Sequence, residues 1–233
     1  MKVRIKFKKY GVMRFIGHLD IMRFFQKAIR RSGIDICYSS GFSPHQIMSF
    51  AAPLGVGYCS EGEYFDIEIN SHSGTKDFVN KLNQSMVPGI EIVSAKLLPD
   101  GAKNAMASVA AAKYRITYKN PSEYAVDFSD WIMPYLSQDT IMITKQTKKS
   151  ERTIDIKPNI YELSFEDGIL NMMVDASSSG NIKPITVFES LCKFAKVSCE
   201  PLQIQITRVD TYLNAGSPES PVFKPLEEAG DDF

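Results

Sequence analysis

The sequence has few of the residues from which metal and disulfide sites are built. It contains four cysteines and three histidines among 233 residues. Cys192 and Cys199 have six residues between them and the other two cysteines lie far apart, so no pair has the short spacing of zinc or iron–sulfur ligands. There is also no His-x-x-x-His motif. We therefore predict no metal site and no cofactor, and we interpret the cysteines as buried or incidental thiols.

Long apolar segments are also missing. No run approaches the roughly 20 apolar residues of a membrane span, and the charged start MKVRIKFKKY is not followed by the apolar core of a signal peptide. We therefore expect a cytoplasmic protein with no membrane partner. With 44% apolar and 23% charged residues, the chain has the composition of a globular protein with one large domain or two small ones.

The sequence has no net charge, because 27 basic residues balance 27 acidic ones, but the charges are unevenly distributed. Residues 1–45 hold ten basic and two acidic residues, a net charge of +8. The tail from Asn214 onwards is instead rich in proline and acidic residues. We predict that this tail, residues 214–233, is disordered or loosely docked.

The first hundred residues alternate between strand and helix patterns. Val3, Ile5 and Phe7 alternate with basic residues, which predicts a strand with one buried face and one basic, outward face. Apolar residues at helical spacing then run from His18 until Ser32-Gly33 ends the pattern. Further strands are predicted at 34–38, 46–52, 63–69 and 90–98, with a helix at 75–86. The order is β-α-β-β-α-β, with one extra strand.

The second half repeats this order of elements. Strands are predicted at 113–119, 141–146, 161–166, 170–175 and 202–213, helices at 124–136 and 185–196, and a hairpin at Asp167-Gly168. The predicted fold class is therefore α+β, with two tandem ferredoxin-like modules and antiparallel sheets. The predicted domains are a first module at 1–100, a connector at 101–112, a second module at 113–213 and the tail at 214–233.

The basic residues of the first helix form the main candidate binding site. Arg23, Lys27 and Arg30 or Arg31 recur at helical spacing, opposite the apolar stripe, and a dense basic face suits the phosphates of RNA. A solvated helix face whose charge is offset by acids elsewhere, such as those of the tail, explains the pattern equally well. In the second half, Lys149 and Arg152 lie in a basic loop that either extends this face or is an exposed linker.

Two histidines near aromatic residues raise a second possibility. His18 begins the first helix, and His45 follows Phe42 in a loop after Tyr38, whose two rings suit stacking on a nucleobase. If the helix start and the loop meet, His18 and His45 are candidate catalytic residues for metal-free RNA cleavage. A structural hydrogen-bonding role for each histidine is the alternative. Asp20, in the first helical turn, suits the helix dipole and is interpreted as a capping residue.

Five motifs resemble one bacterial family. They are RFIGHLD at 14–20, AIRRSG at 28–33, YSSGFSPH at 38–45, SFAAPLGVG at 49–57 and SEGEY at 60–64. Together they resemble the radical SAM-linked proteins, DUF2344, over residues 1 to about 98, and the resemblance continues through RTIDIK at 152–157. The resemblance implies a radical S-adenosylmethionine enzyme as the partner. This chain lacks the Cys-x-x-x-Cys-x-x-Cys motif of such enzymes, so an accessory role follows.

Three functions are thus open. The leading hypothesis is a non-enzymatic RNA-binding or substrate-recognition partner of a radical SAM enzyme, with Arg14 among the binding residues. The second is a metal-free endoribonuclease that uses His18 and His45. The third is a protein-interaction module whose basic helix docks on an acidic partner.

Overall fold

A computed structural model describes residues 1–146 and 151–233, which form two compact units. The first unit consists of Met1–Ala110 and Arg208–Phe233, and the second of Ala111–Thr207. The strands, in chain order, are β1 (Lys2–Lys9), β2 (Met48–Phe50), β3 (Cys59–Glu68), β4 (Ile90–Leu97), β5 (Ala111–Tyr118), β6 (Met142–Gln146), β7 (Glu151–Asp155), β8 (Ile160–Glu166), β9 (Ile169–Asp175), β10 (Ile204–Asn214) and β11 (Phe223–Pro225). The α-helices are α1 (His18–Ser32), α2 (Thr75–Gln84), α3 (Ala105–Ser108), α4 (Pro121–Tyr124), α5 (Ser129–Leu136) and α6 (Pro184–Ala195).

In the first unit β1 is the central strand. It pairs antiparallel with β4 on one side and with β3 on the other, while β2 pairs antiparallel with β3. Val3, Ile5 and Phe7 all point to one face, since strand side chains alternate, and they are buried with residues of α1 and α2. The Phe7 and Phe25 rings lie 4.8 Å apart, edge to face. The apolar alternation therefore predicts β1 and its core face correctly.

The boundaries of α1 follow from glycines on both sides. Gly17, in extended conformation, precedes the helix, and Gly33 follows it in the left-handed conformation with φ of 71°. A residue with this φ just after a helix is most often glycine, because a Cβ atom disfavours it. The buried side of α1 is apolar, as the helical spacing predicts. Asp20 does not cap the helix; its carboxylate pairs with Arg23 instead.

The other face of β1 is not the outward basic face that the sequence predicts. Arg4 is buried, and its guanidinium donates to both carboxylate oxygens of Asp66 at 2.9 and 3.0 Å. Lys6 contacts Asp210 and Glu227, each at 2.7 Å. The prediction is wrong because these acids come from β3, β10 and the tail, too far along the sequence for a local pattern to reveal them.

The tail is docked, contrary to the prediction of disorder. Leu226 is fully buried against Tyr64 and Ala105, and β11 pairs with the end of β10. The Phe233 ring packs on Phe78 with centroids 5.6 Å apart. The apolar residues between the acids make these contacts, which the overall composition of the tail conceals.

The second unit has elements that the first lacks, since α4 and the β6–β7 pair lie between β5 and β8 in addition to α5. In it β9 pairs antiparallel with β5 and β8, and β6 and β7 pair with each other. The hairpin turn has positive φ at Asp167 and Gly168, as predicted. The helix predicted at 124–136 is shorter, since α5 begins only at Ser129: Tyr124 ends α4, Ala125 is extended, and Asp127 accepts a hydrogen bond from the Ser129 amide.

Other boundaries differ from the prediction. The segment predicted as a strand at 34–38 makes only two isolated bridges, Ile36 to Ile69 and Tyr38 to Gln46. Part of the predicted connector is α3, with Ala105 fully buried. β10 begins in the second unit and ends in the first, since the division falls between Thr207 and Arg208. The chain is thus a mixed α and β protein with mainly antiparallel strand pairing. In the described part of the chain, no helix is long and apolar enough to cross a membrane.

Candidate nucleic-acid interface

The exposed side of α1 carries the four predicted basic residues. Ile21, Phe25, Ala28 and Ile29 are buried on the opposite side of the helix. The cations, none of them buried, are Arg23, Lys27, Arg30 and Arg31. They extend over about 12 Å of helix, given a rise of 1.5 Å per residue. We call these four residues the α1 basic stripe.

Few acids neutralise this stripe. Arg23 contacts Asp20 at 3.2 Å, but both side chains are mostly exposed, so the pair is weak. Arg31 donates to the Ser85 carbonyl oxygen at 3.1 Å. The side chains of Lys27 and Arg30 make no hydrogen bond or ion pair within residues 1–146 and 151–233. The stripe therefore keeps most of its charge available for an external anion.

Three of the basic residues on β1 are, by contrast, paired with acids. Arg4 and Lys6 contact acids as described above, and Lys8 contacts Glu91 at 3.4 Å. For Lys6, burial lowers the pKa, but the hydrogen bonds to Asp210 and Glu227 outweigh this effect and leave the pKa above its ordinary value. Much of the positive charge on β1 is thus paired, whereas the α1 face is open.

The segment just before α1 presents an aromatic ring with a cation against it. The Arg14 guanidinium carbon lies 4.7 Å from the centroid of the Phe15 ring, within cation–π distance. Phe15 is 60% exposed, and Leu19, in the first turn of α1, is 66% exposed. The sequence prediction includes Arg14 but not Phe15, because an isolated apolar residue before a helix is more often part of the core.

The loop after Tyr38 is closed by hydrogen bonds between its two ends. The His45 ring Nδ1 and the Ser39 hydroxyl lie 2.8 Å apart, and the Ser39 amide donates to the His45 carbonyl at the same distance. Phe42, at the middle of the loop, is fully exposed, and Tyr38 is about half exposed. Both rings are thus accessible to a ligand, as the stacking hypothesis requires.

The two candidate catalytic histidines have separate neighbours. The His18 ring packs edge to face on Phe50, with centroids 5.4 Å apart, whereas His45 contacts Ser39. The chain from His45 to Phe50 spans at most about 16 Å, at roughly 3.3 Å per residue. His18 and His45 do not hydrogen-bond to each other among the described residues, and their joint action on one phosphate stays a prediction.

Buried charged residues near the end of β1 are absent from the sequence prediction. Arg208 contacts Glu63 at 2.9 Å, and both are buried. Lys9 is only 4% exposed, and burial lowers its pKa. The sequence does contain a signal for it, because Lys9 continues the alternation of Val3, Ile5 and Phe7 on the buried face.

Gln46, the residue after His45, has an unusual environment. It is 4% exposed, and neither amide atom of its side chain has a hydrogen-bond partner among the described residues. A buried amide without partners is costly, so this position is a point of low stability beside the His45 loop.

The remaining predicted residues lie in the second half. Arg152 is exposed on β7, and Lys149 lies outside the described residues. No three His, Cys, Asp or Glu side chains within the described ranges are grouped to hold a metal ion. All four cysteines are free.

Two comparisons with known proteins complete the description. A family model described as an uncharacterized protein conserved in bacteria, DUF2344, matches residues 2–184. No curated protein matches the chain.

Proposed function

We propose that this chain, which belongs to the bacterial DUF2344 family, is a non-enzymatic, cytoplasmic accessory protein that binds RNA through the α1 basic stripe. In this proposal two tandem ferredoxin-like modules present the RNA to a radical SAM enzyme. The link to that enzyme depends on the resemblance of the five N-terminal motifs alone. The RNA contact depends on residues of this chain.

The observation that supports RNA binding is the unequal pairing of the basic residues. On β1, Arg4, Lys6 and Lys8 contact acids, whereas the side chains of Lys27 and Arg30 on α1 have no partner in the described part of the chain. An RNA strand supplies the missing anions, and binding releases its condensed counterions. The Arg30 and Arg31 charges also interact favourably with the C-terminal end of the helix dipole, but that effect does not require Arg23 or Lys27.

Other predicted residues have binding roles in this proposal. Arg14 precedes α1 and His18 is its first residue. Tyr38, Phe42 and His45 lie in or next to an exposed loop that contacts bases. Because His18 and His45 have separate neighbours, the proposal assigns them binding roles and not acid–base catalysis.

The test is RNA binding at several salt concentrations, with two variants of equal charge. Lys27→Ala combined with Arg30→Ala removes two unpaired cations from the stripe. Lys113→Ala combined with Lys119→Ala removes two cations from the second unit, where Lys113 pairs with Glu162 and Lys119 donates to the Leu202 carbonyl. We expect the first variant to lose at least about tenfold in affinity. The slope of log affinity against log salt concentration should become less steep by about 1.4, because each of two lost phosphate contacts contributes roughly 0.7.

The control variant should bind almost as the parent does. Equal losses in both variants would mean that only the total charge matters, and an unchanged affinity of the α1 variant would exclude the stripe as the binding face. The length of the RNA after incubation also tests the endoribonuclease hypothesis. Cleavage that disappears in His18→Ala would contradict the non-enzymatic proposal.

A further inference from the structure

The segment that carries Phe15 is held firmly in place. It is a short 3₁₀ helix, Gly11–Phe15, whose buried residue is Met13. The Tyr10 amide donates to the Gly89 carbonyl at 2.9 Å, and the Gly57 amide donates to the Arg14 carbonyl at 2.8 Å. Phe15 is therefore exposed by an ordered backbone and not by a frayed chain end.

One side of the Phe15 ring is covered by the guanidinium of Arg14, and most of the rest is open to solvent. Exposure of an aromatic ring is unfavourable, because its burial would remove a large apolar surface from water. Val12 is also exposed, at 76%, and lies on the same side of the 3₁₀ helix, where residues three apart are eclipsed. These side chains form an apolar surface that a flat ligand group can cover.

This surface comes shortly before the α1 basic stripe in the chain, with the extended residues Ile16 and Gly17 between the two helices. Leu19, Arg23 and Lys27 follow Phe15 at intervals of four residues, which places the last three on one side of the helix. Ile16 and Gly17 are extended and α1 begins at His18, so the chain from Phe15 to Arg23 spans at most about 17 Å, at roughly 3.3 Å per extended and 1.5 Å per helical residue. A strand that places phosphates on Arg23 and Lys27 therefore has to extend over no more than this distance to reach Phe15.

We propose that Phe15, with Arg14 against its ring, is a stacking site for a nucleobase, and that the ligand of the stripe is single-stranded RNA. This inference rests on the proposed function, because it assumes phosphates on the stripe. Base faces are accessible in a single strand and hidden in a duplex, so only a single strand can use the ring. A purely electrostatic polyanion would gain nothing from Phe15.

The test compares three probes: a 12-nucleotide uridine RNA, the same strand paired with its complement, and inorganic polyphosphate. Affinities are measured for the parent, Phe15→Ala, Phe15→Trp and the Lys27→Ala, Arg30→Ala double variant. Leu202→Ala serves as the control, because Leu202 is an even more exposed apolar residue of the second unit. Thermal unfolding checks that the variants are folded, which we expect because Phe15 is mostly exposed.

We expect Phe15→Ala to lose about 5- to 150-fold in affinity for the single strand, the usual effect of removing one stacked ring. Its affinity for polyphosphate should not change, and Phe15→Trp should restore binding, with tryptophan fluorescence quenched by RNA only. Leu202→Ala should behave as the parent.

The failures of the two proposals are distinguishable. The stacking site is wrong, while the charged stripe remains, if the parent binds polyphosphate and single-stranded RNA with equal affinity. The same holds if Phe15→Ala leaves both affinities unchanged or lowers both to the same extent. If no probe binds, or if the stripe variant binds all three as the parent does, the RNA-binding function itself is wrong.

Discussion

At the scale of single residues, the least satisfied group in the first unit is the Gln46 side chain. Its amide is buried without a hydrogen-bond partner within the described residues. Gln46 directly follows His45, the last residue of the YSSGFSPH motif. A buried polar atom without a partner loses its bonds to water and gains none in return. Such a group is disadvantageous for stability.

We predict that Gln46→Met stabilises the protein by roughly 1–3 kcal/mol, because it removes the unpaired amide and keeps a similar volume. Urea unfolding measures the change. Gln84→Met is the matched control, since Gln84 is not buried and its substitution should have almost no effect. A less stable Gln46→Met variant would show that the amide has a partner in solution. If Gln46 contributes to binding, the stabilised variant should also bind RNA less tightly.

Sequence patterns at this scale predict exposure well only where local periodicity determines it. The four cations of the stripe lie on the open side of α1, as their spacing predicts. Arg4 has the same alternation as Lys6 and Lys8 but is buried, because Asp66, 62 residues away, pairs with it. Phe15 shows the reverse error, since an apolar residue is held out in solvent. Neither case leaves a local signal in the sequence.

At the scale of elements, the turn before β4 supports the proposed stacking site. Gly89 has a φ of 97°, and a Cβ atom there would lie 2.7 Å from both the Tyr10 carbonyl oxygen and the Met13 Cγ. Tyr10 and Met13 belong to the segment that positions Arg14 and Phe15. A side chain at Gly89 therefore has to displace the backbone next to the 3₁₀ helix.

We predict that Gly89→Ala destabilises the first unit by about 2–5 kcal/mol, the sum of an unfavourable φ and a steric clash. Gly101→Ala is the control, because Gly101 has a φ of 78° but no atom within 4 Å of the place that a Cβ would occupy. Gly101→Ala should lower the free energy of unfolding by only about 1–2 kcal/mol, the cost of the unfavourable backbone conformation. Thermal or urea unfolding compares the two variants. Equal effects would mean that the segment at Tyr10 moves away freely.

Elements with strong periodicity, such as β1, α1 and the Asp167-Gly168 hairpin, have boundaries close to those that the sequence predicts. Helices and strands without it are predicted less well. The region 34–38 has an apolar alternation but makes only single bridges, and 124–136 is interrupted at Ala125. In both segments hydrogen bonds determine the backbone conformation, and the apolar periodicity of the sequence does not indicate these bonds.

At the scale of the whole chain, the C-terminal segment belongs to the first unit. Glu227 contacts Lys6 and accepts a hydrogen bond from Ser94, and Asp232 contacts Lys96. The acidic tail thus offsets basic residues of β1 and β4 and leaves the stripe on α1 open. For Glu227, burial raises the pKa, but hydrogen bonds from Lys6 and Ser94 lower it to a net value below the ordinary 4.5.

A depressed carboxylate pKa stabilises the folded state above pH 4.5, and this contribution disappears as the pH falls through the folded-state pKa. We predict that Glu227→Gln is less stable than the parent by about 1–2 kcal/mol at pH 7 and that the difference shrinks below about pH 4.5. Urea unfolding between pH 3 and pH 7 measures it. Glu228→Gln is the control, because Glu228 is half exposed and contacts Lys224 at 3.6 Å. A stability difference that does not depend on pH would contradict the lowered pKa of Glu227 in the folded state.

The membership of β10 in both units has a consequence for synthesis on the ribosome. The 97 residues of Ala111–Thr207 are made after β1 to β4 and before the strand that supplies Asp210. At 5–20 residues per second, the nascent first unit waits for roughly 5–20 s until Asp210 and Glu227 can reach Lys6. During that interval Lys6 lacks both of its acidic partners, whereas Arg4 and Lys8 can already pair with Asp66 and Glu91, so β1 of the nascent chain carries one more unpaired cation than β1 of the finished protein.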